Sequence, residues 1–80
     1  MHELGLLRQI IMVVEQTAKK NRIENIRHIT LEIGKDAGIV PYYMKKLFPV
    51  AADSFPLLEN AELRILSVSG ARLVIRDIGY

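Results

Sequence analysis

The sequence predicts an α+β domain in which two helices pack on one face of a three-stranded mixed β-sheet, in the order α-β-α-β-β with a C-terminal hairpin. Three observations carry this. Apolar residues recur at three and four over 4–20, they alternate with polar ones over 26–33 and again from 63, and a proline opens a second helical pattern between the two alternating runs.

Leu4, Leu7, Ile10, Ile11, Val14 and Ala18 share one helical face, and Leu6, Met12 and Val13 widen it to the breadth expected of a helix lying on a sheet. Met12 reads as core filler. Asn21 and the polar residues after it end the helix. Ile29, Leu31 and Ile33 then alternate with His28, Thr30 and Glu32, predicting a strand with one solvated face on which His28 is a surface residue. Gly34 and Gly38 bracket a loop, and Pro41 is placed as the first residue of a second helix, with Met44, Leu47, Phe48 and Ala51 at i, i+3, i+4 and i+7. Pro49 has no N–H for the carbonyl of Lys45, so this helix is expected to kink or shorten there. After a loop holding Phe55, Pro56 and Asn60, Leu63 and Ile65 begin a strand that reaches Val68. Ser69 and Gly70 signal a turn, and Leu73, Val74, Ile75 and Ile78 supply the third strand.

Composition narrows the function classes. Eighty residues make one domain with one core, and zero Cys excludes disulfides and thiolate-ligated zinc within it. Packing, a partner subunit or both must stabilise the chain. With 50% hydrophobic residues, intrinsic disorder is not expected. Eleven basic residues against nine acidic ones leave a net charge of +2, but the charges are interleaved. Lys19, Lys20 and Arg22 form the one basic cluster and fit the solvated last turn of a helix, so no nucleic-acid partner is expected. No charge-led apolar leader and no run of about 20 apolar residues is present, which predicts a soluble cytoplasmic protein without a membrane partner.

Most catalytic constellations are missing, so no enzyme is predicted. There is no Cys nucleophile and no Gly-rich phosphate loop, and the two histidines are His2 and His28. Ser54, Ser67 and Ser69 fall in turns or strand ends, Glu59 and Glu62 read as solvated charges, and Tyr42 and Tyr43 as packing at a helix start. The exception is Met1-His2-Glu3. The α-amine of Met1, the backbone nitrogen of His2 and its imidazole can close adjacent chelate rings around one metal, and Glu3 can add its backbone nitrogen or its carboxylate. Nitrogen-rich coordination of this kind suits Ni(II) or Cu(II) rather than Ca(II) or Mg(II). On the pattern alone, each residue also has a bland reading: His2 as an ordinary terminal residue, and Glu3 as a first-turn acid favourable to the helix dipole.

Four segments together carry a family resemblance: Met1-His2-Glu3-Leu4, Leu31-Glu32-Ile33-Gly34, Gly38 with Pro41 three residues later, and Ala61-Glu62-Leu63-Arg64-Ile65. In this order, over roughly the first 68 residues, they resemble the HypA/HybF family of hydrogenase and urease nickel-incorporation proteins. The resemblance implies a metallochaperone that carries Ni(II) as transient cargo to a hydrogenase or urease, working with a maturation GTPase. It also implies that His2 is the essential nickel ligand, joined by Glu3 and the Met1 amine. Family members carry a zinc ribbon with two CxxC pairs before the last strand. A chain without Cys cannot form it, so no structural zinc is expected.

Two alignments of the tail follow. Ile75 to Gly79 can stand for a first knuckle with its cysteines replaced. Alternatively, Gly70 to Ile75 with Ile78 form the family's final strand, with the ribbon deleted near 69–70. The second keeps every apolar residue useful and leaves 1–80 as a single nickel-binding domain. Val40 stands where many members have an acid, and Pro49 and Phe55-Pro56 also depart from the usual residues. The rival expectation is a zinc-less paralogue that acts as an interaction module, with homodimerisation through a sheet edge or an exchanged element.

Overall fold

The computed structural model describes residues 2–80; Met1 lies outside them. The elements are α1 (Glu3–Lys20), β1 (His28–Gly34), α2 (Pro41–Ala52), a 3-10 turn (Pro56–Leu58), β2 (Glu62–Val68) and β3 (Leu73–Gly79). Helix α1 begins with an acid in its first turn and ends with Lys19 and Lys20 in its last, each favourable to the helix dipole. Asn21 caps it, Arg22 turns left-handed at φ 56°, and the Ile23 N–H returns to the Ala18 carbonyl at 2.9 Å, closing the last turn. Leu7, Ile10, Ile11, Val14 and Ala18 are its buried face. Met12 and Val13, 56% and 51% exposed, are not. The apolar stripe is thus narrower than periodicity indicates, and Met12 does not fill the core. One face of α1 meets the sheet and α2, and the outer side has no layer over it.

The strands lie in the order β2-β1-β3, with β1 parallel to β2 and antiparallel to β3. Ile29, Leu31 and Ile33 of β1 are buried with Met44 and Phe48 of α2 and the α1 face in one core. The opposite sheet face is mostly polar, with Leu66 and Val74 exposed on either side of Glu32: Arg64 donates to Glu62 at 2.9 Å, Arg76 reaches Glu32 at 3.4 Å, and His28 Nε2 stands 3.4 Å from Asp77 Oδ1. In β3, Ile75 pairs with Leu31 and Ile78 with Ile29, so three residues on one strand match two on the other. The bulge lets both isoleucines face the core despite their odd spacing.

The expected C-terminal hairpin does not form. β2 and β3 are not hydrogen-bonded neighbours; they flank β1, and residues 69–72 join them by crossing over its end. The α2 connection delivers β2 parallel to β1, and β3 then pairs with the remaining edge of β1, the most apolar strand. Gly34 makes the crossing possible. A Cβ there would overlap the Gly70 carbonyl and sit 2.9 Å from the Ala71 nitrogen, while the Gly34 N–H donates to Arg72 O at 2.8 Å. Gly70 itself turns with φ 96°.

Helix α2 starts at Pro41 as predicted, and it continues through Pro49 to Ala52 instead of stopping. Lys45 and Pro49 are both exposed, so water can serve the carbonyl that Pro49 leaves without a donor.

The two kinds of glycine constraint separate by mutation. Gly34→Ala, which must push backbone against backbone, is expected to cost about 3 kcal/mol or more. Gly38→Ala, with φ 72° but no atom within 4 Å of the added carbon, should cost only about 1–2 kcal/mol. Urea unfolding of the two variants measures the difference; equal costs would remove the crossing as a constraint.

Candidate metal centre

The start of α1 meets the start of α2. His2 occupies the cap position of α1 with φ −102° and ψ 70°, and its carbonyl accepts the Leu6 N–H at 3.0 Å. It is exposed, and its imidazole makes no capping hydrogen bond. The backbone nitrogens of the first helical turn have no carbonyl partner in the helix ladder, and the Glu3 N–H is directed instead at its own carboxylate.

Glu3 differs from its neighbour. It is buried, at 7% exposure, and its Oε2 accepts the Val40 N–H at 3.2 Å. Val40 caps α2 and has no side-chain cap of its own. In many helices an acid three residues into the helix reaches back to the cap N–H. Here a residue from another helix, 37 positions away in sequence, does that work. The Val40 N–H is the main cause holding the Glu3 carboxyl below its ordinary value of 4.5; burial opposes it, and the backbone N–H of Glu3 itself lowers it further.

Of the three predicted ligand residues, Met1 lies outside the described residues, His2 is exposed at the helix start, and Glu3 is buried beside it. Sequence patterning gave no sign of the Glu3–Val40 contact, because it depends on how α1 and α2 pack. The contact brings the loop before Pro41 to the chain terminus, where the Val40 side chain supplies no donor atom. Among the described residues, no three His, Cys, Asp or Glu side chains are grouped to hold a metal. His28 has one acidic neighbour within ion-pair distance, Asp77, and its ring covers Gly79, where a Cβ would overlap it. It is half-buried rather than a free surface residue. Beside Glu3, the donor groups that the described residues place at this helix start are the His2 imidazole and main-chain nitrogens.

The fold is an α+β domain whose first helix starts at an exposed histidine and is fastened there to the second helix. Comparison with known proteins gives it a family. The family model described as hydrogenase/urease nickel incorporation, metallochaperone, HypA matches residues 1–73. The chain is 37% identical over 70 residues to the hydrogenase maturation factor HypA of Trichodesmium erythraeum, covering 88% of this chain and 58% of that protein. It is 31% identical over 70 residues to the corresponding factor of Legionella pneumophila, covering 88% and 61%. The solution structure of the Ni metallochaperone HypA from Helicobacter pylori superposes with a TM-score of 0.79 at 19% identity, over 96% of this chain and 72% of that one, which shows the shared fold. The chain belongs to the HypA family, whose role is metal incorporation and not catalysis. It spans about three fifths of the length of these curated relatives. No helix among its described residues is long and apolar enough to cross a membrane.

The lowered Glu3 value has a defined sign. Its carboxylate contributes stability above pH 4.5, and that contribution is lost as pH falls through the lower folded-state value. Glu3→Gln is therefore expected to be less stable than wild type at pH 7, with the difference closing on acidification below pH 4.5. Paired urea midpoints between pH 7 and pH 3 measure it; a difference constant with pH would show that the charge of Glu3 plays no part.

Proposed function

We propose that this chain binds one Ni(II) at its N-terminus and delivers it in the maturation of a nickel enzyme, a hydrogenase or a urease, in concert with a maturation GTPase. The observation that carries this reading is the exposed His2, set on a helix start that Glu3 fastens to α2 through the Val40 N–H. The imidazole and backbone nitrogen of His2 form the core of the proposed site. The Met1 amine completes the chelate where it is free, and Glu3 adds its backbone nitrogen more readily than its carboxylate, one oxygen of which already accepts a hydrogen bond. Such a donor set is borderline to strong-field and matches nickel. Nickel is cargo, and the domain needs no structural zinc.

The family match ends at residue 73, where β3 begins, and the longer relatives carry further length. We place the missing zinc ribbon in the connection at 69–70, because the superposition on the Helicobacter pylori structure covers 96% of this chain and so takes in part of β3, which then stands as the final strand of a single unit, 1–80. Transfer of cargo through the N-terminus does not require the ribbon's chemistry, since every proposed ligand lies on the first three residues.

Nickel titration followed by calorimetry and by absorbance tests the site. His2→Ala is expected to lower the affinity by at least about 100-fold, beyond what the loss of an outer-shell partner costs. Affinity should also fall on acidification, because the imidazole, the amine and the amides must release protons to bind. One residue added ahead of Met1 converts the amine to an amide and should weaken binding. Unchanged affinity in His2→Ala would sink the proposal, and unchanged affinity in the extended chain would remove the amine from the ligand set.

A further inference from the structure

Helix α2 carries an apolar row that the fold leaves uncovered. Val40, Tyr43, Leu47 and Val50 follow at i, i+3, i+7 and i+10, the spacing with which two helices pack along a seam. Val40, Tyr43 and Val50 are 43%, 49% and 61% exposed, and Leu47 is partly buried. The core is served by a separate row, Met44, Phe48 and Ala51. Lys46 and Asp53 lie along the outer margin of the exposed row, seven residues and hence two turns apart on one side of the helix. Asp53 keeps helical backbone angles, φ −56° and ψ −36°, so it continues that margin past the last helical residue. Both side chains are exposed, and neither takes part in an ion pair among the described residues.

We propose that this row is a self-association surface on which a second copy of the chain packs antiparallel, about a two-fold axis between Leu47 and Val50. The charges select that occupant and that register. In this arrangement Leu47 faces the partner's Val50, and Lys46 faces the partner's Asp53. Two-fold symmetry makes each contact occur twice. The opposed charged positions differ by about 3 Å along the helix axis, well within the reach of a lysine side chain. An axis placed one step earlier, between Tyr43 and Leu47, would instead set Lys46 beside its own copy. The row is thus self-complementary in one register and repulsive in the neighbouring one.

The arrangement also leaves the N-terminal site accessible. Val40 lies about 13 Å from the proposed axis along α2, so the two helix starts that meet Glu3 sit at opposite ends, about 25 Å apart. Association is independent of the nickel reading, since no proposed ligand lies on the row. A seam of four side chains is small, so a weak dimer is expected, with a dissociation constant on the order of 100 µM.

Sedimentation velocity of the metal-free chain, from roughly 20 µM to 1 mM at low salt, tests the surface. Wild type is expected to shift from monomer to dimer across that range. Lys46→Glu and Asp53→Lys should each weaken association about tenfold, since symmetry counts each reversal twice. The double variant Lys46→Glu/Asp53→Lys should recover wild-type association to within about threefold. Val50→Asp should abolish it while far-UV circular dichroism stays unchanged, because the side chain is exposed. A wild type that remains monomeric at the highest concentration overturns the proposal. So does a dimer insensitive to Val50→Asp, which would use another surface, or a double variant no better than either single one.

Discussion

Four residues carry the chain from the end of β2 to the start of β3 across the end of β1, and the backbones approach so closely there that only glycine fits at position 34. Much of the molecule hangs on that approach. It allows β1 to be paired on both sides, which buries Ile29, Leu31 and Ile33 on one face and even Thr30 on the polar face. It also anchors the loop that follows. The Lys35 N–H donates to Val68 O and the Asp36 N–H to Gly70 O, each at 2.8 Å. That loop ends at Val40, whose N–H reaches Glu3. The loop 35–40 is thus held at both ends, by the crossing at Lys35 and Asp36 and by the Glu3 carboxylate at Val40, beside the helix start that presents His2.

Local periodicity made the elements legible. Three-and-four recurrence marked α1 and α2, alternation marked the strands, and the odd step from Ile75 to Ile78 recorded a bulge, though it can be understood as one only once its partners are known. Neighbour relations were less accessible. Ser69 and Gly70 form a turn, as expected, yet a turn signal does not say whether the chain doubles back beside the previous strand or steps over another. The difference lay in Gly34, about half the chain earlier, which reads as an ordinary loop glycine until its contact is seen. The same holds for Met12 and Val13. Periodicity reports which residues are apolar, but not which faces have a layer to meet.

At the candidate site the sequence names the residues, and the structure adds how His2 and Glu3 differ in burial and contacts. Helix-dipole reasoning and metal chemistry both assign Glu3 a local role at the first turn of α1. The structure gives its carboxylate a distant partner at the start of α2, and the N–H donor that stabilises the ionised form also makes the oxygen a poorer base. A poorer proton base is a weaker donor to a metal. The proposed coordination therefore shifts toward nitrogen, and the acid becomes a positioning residue for the terminus. His2, by contrast, is exposed, which is what the proposed exchange of cargo requires. Division of this kind follows from burial: the neighbour that is buried holds the frame, and the neighbour that is exposed is available for transfer.

The absence of cysteine bears on the same geometry. A chain of 80 residues without disulfides or a thiolate-bound metal must be held by its single apolar core. Under the proposed placement of the missing ribbon, the connection between β2 and β3 is where a module could be present or absent with least effect on that core. The ends of these strands flank one intervening strand, so they lie about 10 Å apart whatever joins them. A four-residue link spans this distance, and a short link also costs less closure entropy than one interrupted by a long insertion. What such a link must supply is a backbone able to pass over β1, and Gly34 with the left-handed Gly70 provides it. The sheet can thus keep its order, and the loop 35–40 its anchorage, without the inserted module. The helix start that carries the proposed ligands is joined to the crossing through the loop 35–40, whatever the connection between β2 and β3 contains.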